Sequence, residues 1–191
     1  CVLVFQNTTD KNRLKTEVEW QAWHDALTSL PNRSLLNDRF NIAIANANRT
    51  GTMLAVCMLD LDDFKTINDT LGHESGDQLL IESGERFKQS VRSNDIVGRL
   101  GGDEFIIILG QVHDVYDIRQ TAKKLVQVMS EPFVIDNRKM LFTISIGISI
   151  YPEDGVSAAN ILRNADMAMY DSKKRGRNTY SYFDKKMNTR N

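Results

Sequence analysis

The chain has 191 residues, a formal net charge of −1 and 41% hydrophobic residues, as expected for one globular domain with a short tail. The balanced charge gives no sign of a nucleic-acid or membrane surface. The longest apolar run, residues 53–59, is far shorter than a membrane span.

The first residue and the two cysteines indicate the context of the chain. It starts at Cys1 rather than at Met and carries no signal peptide, which favours a piece of a longer protein. Cys57 lies inside the apolar run, so we expect free thiols and a reducing compartment. This segment is therefore expected in the cytoplasm without membrane contact, whether or not the full-length protein is anchored to a membrane.

Residues 1–24 are predicted to precede the domain proper. Residues 2–5 have the composition of a short strand, and residues 8–10 offer a helix start. The helix that follows would bury only part of its surface, with the apolar residues Leu14, Val18, Trp20 and Trp23. Two interpretations stay open: a linker helix after an upstream domain, or an N-terminal helix lying on its own domain.

The domain proper is predicted to span residues 25–185, and residues 186–191 form a tail. A helix is expected after Pro31-Asn32, ending at Gly51. Its apolar face would consist of Leu36, Phe40, Ala43 and Ala47.

Residues 53–59 indicate a strand buried on both faces, and this strand ends at Asp60. A short helix is predicted from Phe64, and a longer helix from Gly76 to Val91.

Residues 99–109 read Arg-Leu-Gly-Gly-Asp-Glu-Phe-Ile-Ile-Ile-Leu, which predicts a β-hairpin with acidic residues at its tip. Gly101 and Gly102 allow positive φ and leave room for a ligand to approach the backbone. Asp103 and Glu104 follow them directly. A surface hairpin with solvated acids is the alternative interpretation.

The remaining pattern predicts a helix, a strand, a helix and a last strand. The first helix carries Ile118, Ala122, Leu125, Val126 and Met129 on one face. Residues 142–150 alternate apolar with small polar residues, which predicts a half-buried strand. A helix over residues 157–172 and a strand over 180–183 complete the domain. The order β-α-(α)-β-β-α-β predicts an α+β fold of the split βαβ, ferredoxin-like kind, with a mostly antiparallel central sheet flanked by helices.

An acid at the end of a buried strand is a usual place for a site. If that strand lies beside the hairpin, Asp60 and Asp103 converge, and two such carboxylates repel unless a cation lies between them. Oxygen ligands without a His/Cys cluster favour Mg²⁺ over zinc. The alternative role, a helix N-cap, fits Asp62 or Asp63 better than Asp60.

Five segments resemble the GGDEF family of diguanylate cyclases, in order and at family-like spacing over residues 24–183. The most specific are Asp60-Leu-Asp-Asp-Phe-Lys-Thr-Ile-Asn-Asp-Thr-Leu-Gly-His-Glu-Ser-Gly-Asp77 and Gly101-Gly-Asp-Glu-Phe105; the others lie within residues 24–33, 145–155 and 165–178. Ser29 departs from the usual Gly. The resemblance implies a polymerase-palm-like fold, and residues 1–24 then resemble the end of a PAS-type sensor domain with its signalling helix.

The resemblance implies that two GTP molecules are condensed into cyclic di-GMP with release of pyrophosphate. Asp60, Asp103 and the Leu61 carbonyl would then hold Mg²⁺ or Mn²⁺, and Asp103 would also help to deprotonate the attacking hydroxyl. Glu104 is expected to be a second acid of the hairpin. Its alternative role is to pair with a basic neighbour or to fix the turn.

The resemblance also assigns the substrate contacts. Lys65 would stabilise the transition state, and Lys173 and Arg177 would contact the terminal phosphates. A solvated basic helix end is the alternative for the last two. The remaining expected nucleotide contacts are Gly102 at the hairpin, Asn68 and Asp77 on the guanine edge, and His73.

The motif Arg92-Ser-Asn-Asp95 resembles the family's inhibitory site for the product cyclic di-GMP, with Arg119 or Lys123 as a second basic contact. An exposed salt bridge in a turn is the alternative. The reaction joins two GTP molecules, so a homodimer with opposed active sites is expected. The alternatives to catalysis are a GGDEF domain that binds GTP or cyclic di-GMP and regulates a partner, or a dimerisation module.

Overall fold

The computed structural model describes residues 20–189. The strand expected at residues 2–5 and most of the helix expected at 10–24 lie outside the described residues. Residues 20–23 are helical, and the chain then makes a wide turn closed by a bridge between His24 and Pro31.

A five-stranded sheet forms the centre of the domain. Its strands are β1 (Met53–Leu61), β2 (Ile96–Gly101), β3 (Glu104–Val112), β6 (Ile144–Tyr151) and β7 (Thr179–Tyr182). They lie in the order β2-β3-β1-β6-β7, and all neighbouring strands are antiparallel except β6 and β7, which are parallel. The predicted α+β fold with a mostly antiparallel sheet flanked by helices is confirmed.

Within residues 24–189, the helices that flank this sheet are α1 (Arg33–Thr50), α2 (Phe64–Leu71), α3 (His73–Ser90), α4 (Val115–Met129) and α5 (Ala158–Lys174). The Asn32 side chain caps α1 by accepting from Ser34 N and Leu35 N, and Gly51 ends it with φ 67°. A short 3₁₀ helix covers Lys185–Thr189. No helix within residues 20–189 is long and apolar enough to cross a membrane.

Each face of the sheet has its own core. On one face, Cys57, Leu59 and Phe105 pack with residues of α3 and α4. On the other face, Met58 and Ile106 pack with residues of α1 and α5. β1 is therefore buried on both faces, as its apolar run predicts, and Cys57 is a buried free thiol whose pKa burial raises to about 12.

A strand forms where residues 142–150 predict one, but the prediction that one of its faces is exposed is wrong, because all eight residues of β6 are buried. Its small polar residues lie under α5 instead of facing solvent. A Cβ on Gly147 would come within 2.0 Å of the Ala165 oxygen and the Met169 nitrogen. The hydroxyl of Ser172 also donates to the Ile146 carbonyl at 2.6 Å. The alternation of Ile with Ser and Gly thus marks a close helix contact.

Two further differences concern local boundaries. A small hairpin, β4 (Phe133–Ile135) and β5 (Arg138–Met140), was not predicted, although Asp136 and Asn137 have the positive φ of a two-residue hairpin turn. In addition, α3 begins at His73 rather than at Gly76, which places Asp77 inside the helix.

Gly147→Ala should destabilise the domain, because the added methyl group meets the backbone of α5 rather than a flexible side chain. Overpacking of this kind costs about 1–3 kcal/mol or more of unfolding free energy. Urea unfolding at equilibrium measures the effect. Gly110→Ala is the matched control, since nothing lies within 4 Å of a Cβ at that position in β3. Equal stability of the two variants would contradict the close contact between α5 and β6.

Candidate functional site

The acidic ends of β1 and β3 meet at one edge of the sheet. Asp60 is the register partner of Glu104. The Leu61 N–H donates to the Asp103 carbonyl at 3.4 Å, which puts the Leu61 backbone beside the hairpin turn. The strand and the hairpin are therefore neighbours, as the predicted convergence of Asp60 and Asp103 requires.

Asp60 is the most perturbed carboxyl group of this cluster. It is 7% exposed, and the Lys173 ammonium lies 2.8 Å from its Oδ1. Its pKa is raised to about 6: burial is the largest cause and the charges of Asp103 and Asp62 add to it, whereas the hydrogen bond and the charge of Lys173 act in the opposite direction. One lysine thus compensates only part of the negative charge gathered here.

The hairpin tip is open to solvent and held from one side. Gly101 and Gly102 have φ of 139° and 55°, and nothing lies within 4 Å of a Cβ at either, so a ligand has room at Gly102. The Arg99 guanidinium donates to the Gly102 carbonyl at 3.0 and 2.7 Å and to Asp25 Oδ1 at 2.9 Å. Arg99 and Asp25 therefore fix the turn that carries Asp103, a role that the sequence analysis missed.

Asp25 is suited to this anchoring role. Burial alone would raise its pKa, but hydrogen bonds from Thr28 and Arg99 outweigh burial and hold the pKa below its usual value. Asp25 therefore keeps its negative charge opposite Arg99.

Glu104 lines a cavity of about 600 Å³ between α1 and α5. Its floor is apolar, with Phe40 and Met58, and its rim carries Arg33 and Arg163. Within residues 20–189, Glu104 forms no ion pair with either arginine. The alternative role expected for Glu104, pairing with a basic neighbour, is therefore not seen.

The residues expected to read guanine lie together at the junction of α2 and α3. The side-chain oxygen of Asn68 is buried without a hydrogen-bond partner. It packs against Gly76, where a Cβ would come within 1.9 Å of it. Asp77 follows Gly76 and is exposed, as is His73 at the start of α3. Asp77 lies within the helix, so it is not the cap residue of α3.

The basic residues expected at the phosphates surround the segment that follows β1. Lys65 is exposed in the first turn of α2. Arg177 Nη2 lies 3.7 Å from Asp63 Oδ1, and Lys173 contacts Asp60. The Lys173 side chain is only 32% exposed, so a solvated helix end is wrong for this residue.

Of the two candidates for the N-cap of α2, Asp63 occupies that position and Asp62 does not. Asp63 stands at the N-cap of α2 but makes no side-chain capping hydrogen bond. Asp62 is buried and accepts from Thr143, Ser145 and the Asn178 N–H. The N-cap role is therefore wrong for Asp62. Its buried position and its three hydrogen bonds were not predicted from the sequence.

The Arg92–Asp95 motif forms the turn between α3 and β2. Asp95 accepts from the Arg92 N–H at 2.9 Å and from the Gly110 N–H at 3.3 Å. Burial raises its pKa, although these two bonds act in the opposite direction. The Arg92 side chain is 72% exposed and lies 3.5 Å from Asp117. The salt bridge of this turn thus joins Arg92 to α4 rather than to Asp95.

A cavity of about 560 Å³ adjoins this turn and is also lined by Arg39 and Lys88. Arg119 and Lys123, expected as a second basic contact, line a different cavity beside Tyr182. The α4 side chain that reaches the end of α3 is Lys124, whose Nζ lies 3.0 Å from the Ser90 carbonyl.

Within residues 20–189, no group of three or more His, Cys, Asp or Glu side chains is arranged to hold a metal ion. Asp60, Asp103 and the Leu61 carbonyl are an all-oxygen set, as Mg²⁺ prefers, but they fill only part of an octahedral shell. The remaining ligands would have to come from a bound molecule or from water.

Comparison with known proteins agrees with this geometry. A family model described as "Diguanylate cyclase, GGDEF domain" matches residues 22–179. The bifunctional diguanylate cyclase/cyclic di-GMP phosphodiesterase MucR of Pseudomonas aeruginosa is 44% identical over 180 residues, or 94% of this chain and 26% of MucR. Diguanylate cyclase TpbB of the same species is 40% identical over 158 residues, or 82% of this chain and 36% of TpbB. The chain thus spans roughly a quarter to a third of these relatives.

Two solved structures show the same fold. The GGDEF domain of TpbB from Pseudomonas aeruginosa matches with a TM-score of 0.85 and 37% identity, covering 87% of this chain and 97% of that one. The coiled coil and GGDEF domain of DgcB from Caulobacter crescentus, in complex with c-di-GMP, match with a TM-score of 0.80 and 28% identity, covering 95% and 97%. The chain therefore belongs to the GGDEF domain family of diguanylate cyclases.

Proposed function

We propose that residues 25–185 form a catalytic domain that condenses two GTP molecules into cyclic di-GMP and releases pyrophosphate, in bacterial second-messenger signalling in the cytoplasm. The observation that carries this proposal is the cluster of Asp60 and Asp103 with Lys173 and Arg177. Acids for metal binding and cations for phosphate binding thus come from separate parts of the sequence to the same sheet edge.

A divalent cation fits the charge of this cluster. The raised pKa of Asp60 reflects burial close to the carboxylates of Asp103 and Asp62, and the positive charge of one lysine does not cancel it. Asp60, Asp103 and the Leu61 carbonyl would hold Mg²⁺ or Mn²⁺, and phosphate oxygens of GTP would complete the shell. When bound, such ions polarise phosphate oxygens and lower the pKa of a coordinated hydroxyl.

The protein's own residues supply the rest of the chemistry. Asp103 would accept the proton of the attacking 3′-hydroxyl, with Glu104 as a second acid at the hairpin. Lys65, Lys173 and Arg177 would neutralise the charge of the phosphates and of the leaving pyrophosphate.

Recognition of guanine would rest on Asn68 and Asp77. Guanine presents two adjacent donors, N1–H and the 2-amino group, and a carboxylate can accept from both. The buried Asn68 oxygen has no partner among the described residues, so a donor from a bound base would satisfy it. Adenine lacks this donor pair, and leaving these acceptors unpaired would discriminate against it. His73, which is exposed at the start of α3, would contact the nucleotide.

Assembly and feedback complete the proposal. Each domain would hold one GTP, so two domains must face each other across a two-fold axis for two reciprocal attacks. Product would bind at the exposed Arg92 side chain, next to the cavity that Arg39 and Lys88 also line. Asp95 would contribute by holding the turn, since both of its oxygens accept backbone N–H bonds.

Asp103→Asn should lower cyclic di-GMP synthesis by orders of magnitude, because it removes a ligand charge and the proton acceptor. GTP binding should largely survive through the guanine and phosphate contacts. Chromatographic product detection and calorimetric GTP titration measure the two effects at several enzyme concentrations. Asp69→Asn, at an exposed position of α2, is the matched control and should keep full activity.

Unchanged synthesis by Asp103→Asn would contradict the role of this residue. Wild-type protein that binds GTP or cyclic di-GMP without turnover would support the regulatory alternative, and protein that binds neither would support a dimerisation module.

Asp60→Asn should stabilise the metal-free domain at neutral pH and lose this advantage in acid. Asp60 has a folded-state pKa of about 6, above its unfolded value of 3.8, so its ionisation costs stability as pH rises. The difference in unfolding free energy between variant and wild type should fall by about 2 kcal/mol from about pH 7.5 to about pH 4.5. Urea unfolding with a chelator measures it, with Asp69→Asn as control. A pH-independent difference would show that Asp60 is not perturbed.

Arg92→Ala should relieve inhibition by added cyclic di-GMP, because a charge-assisted contact to the product is lost. We expect an inhibitory concentration raised at least about tenfold, with an uninhibited rate within about twofold of wild type. Initial rates across a product titration measure both. Asp117→Ala removes the salt-bridge partner but keeps Arg92, so its inhibition should persist. Equal inhibition of wild type and Arg92→Ala would leave the motif as a turn only.

A further inference from the structure

The buried carboxylate of Asp62 links the two segments that carry the metal and phosphate residues. Asp62 is 6% exposed. Its Oδ2 accepts from Thr143 Oγ1 at 2.6 Å and from the Asn178 N–H at 3.1 Å, and its Oδ1 accepts from Ser145 Oγ at 2.7 Å. Its own N–H donates to the Thr143 carbonyl at 2.9 Å. Asp62 is therefore fixed to the start of β6 on one side and to the chain after α5 on the other.

The contact with Asn178 matters because of the turn in which it lies. Arg177 and Asn178 both have positive φ, of 62° and 47°, and Gly176 has φ 108°. Consecutive residues in this region are uncommon and persist only where the surroundings hold them. The hydrogen bond from the Asn178 N–H to Asp62 holds this turn, with a second bond between the Asn178 side chain and Ser130 at 3.1 Å.

This turn determines where Arg177, a phosphate-binding candidate, points, and it lies just after the helix end that carries Lys173. Arg177 lies directly before Asn178 and reaches Asp63 at 3.7 Å. Lys173 lies in the last turn of α5, just before this segment, and reaches Asp60 at 2.8 Å. The two cations therefore contact the acids on either side of Asp62 in the sequence: Lys173 contacts Asp60, and Arg177 lies near Asp63.

We propose that Asp62 is a positioning residue for the triphosphate of GTP: it holds the Gly176–Asn178 turn against the end of β1, so that Arg177 faces the metal-binding segment beside Lys173. Asp62 itself does not touch the substrate. This role rests on the proposed function, because it presupposes that phosphates bind between these segments. This role explains why a carboxylate occupies this buried position although its hydrogen-bond donors are neutral. A charged acceptor forms stronger hydrogen bonds than a neutral one and so holds the turn more firmly.

Removal of the Asp62 carboxylate should weaken binding of the outer phosphates and leave binding of guanine unchanged. Guanine would still be read by Asn68 and Asp77, which lie at the α2–α3 junction and make no hydrogen bond to Asp62. GMP lacks the two outer phosphates, so its affinity should depend little on Arg177 and Lys173. The ratio of GTP affinity to GMP affinity therefore reports the position of these cations, whereas a general loss of stability leaves that ratio unchanged.

The test is a calorimetric titration of GMP and of 3′-deoxy-GTP, which cannot react, with Mg²⁺ present. Asp62→Ala should lower the preference for the triphosphate by about tenfold, and Asp62→Asn, which keeps one acceptor oxygen for the Asn178 N–H, should lower it less. Ser145→Ala is the matched control: it removes a hydrogen bond of the same carboxylate but does not release the turn, so the preference should stay within about twofold. Urea unfolding identifies which variants are folded.

A double-mutant cycle shows whether Asp62 acts through Arg177. Arg177→Ala should itself lower the preference for the triphosphate, and adding Asp62→Asn or Asp62→Ala to it should lower the preference little further. Because Asp62→Asn keeps the shape of the side chain, the cycle remains decisive if Asp62→Ala fails to fold. Folded Asp62 variants with the wild-type preference, or full additivity with Arg177→Ala, would overturn this proposal. Wild-type protein without any preference for 3′-deoxy-GTP over GMP would instead overturn the proposed function.

Discussion

The confinement of negative charge at the end of β1 is the constraint on which the site depends. Asp60 lies next to the last residue of β1, a strand buried on both faces, and its side chain is itself buried. Burial and the nearby acids Asp103 and Asp62 raise its pKa to about 6, even though the Lys173 ammonium lies at 2.8 Å. Such a group costs stability while no cation is bound, and a cation bound there, as the proposed function requires, would offset that cost.

The packing of α5 on β6 brings the compensating charges to this place. Gly147 lets the helix approach the sheet until backbone almost meets backbone. The Ser172 hydroxyl bonds to the Ile146 carbonyl at 2.6 Å, which fixes the helix where Lys173 follows. A small residue in the middle of a strand therefore has a direct consequence for the electrostatics of the site. The packing of α5 thus sets the backbone position of Lys173, and from there its ammonium reaches Asp60 at 2.8 Å.

Local patterns were enough to predict the elements of the sheet and the meeting of its acidic ends. The apolar run before Asp60 and the glycines before Asp103 each specify their own element, and strand neighbours then bring the acids together. The pattern over β6 was misleading, because Ser and Gly suit a solvent face and a tight helix contact equally well. The contacts of polar side chains could not be predicted from the sequence for another reason. Arg99 meets Asp25 across 74 residues, and Asp62 meets Asn178 across 116, and no periodicity encodes such pairs.

Asp60 and Asp62 show how two buried carboxylates close together in sequence come to differ. Asp62 has three donors on its two oxygens, from hydroxyls and a backbone N–H that belong to fixed elements. Its hydrogen-bonding capacity is used within the protein, which suits a structural anchor. Asp60 is paired with the side chain of Lys173, which under the proposed function the phosphate groups would attract away from it. The difference lies in the partners: a carboxylate held by neutral donors of fixed elements keeps its neighbours in place, whereas one paired with a lysine would, under the proposed function, exchange that lysine for a metal ion.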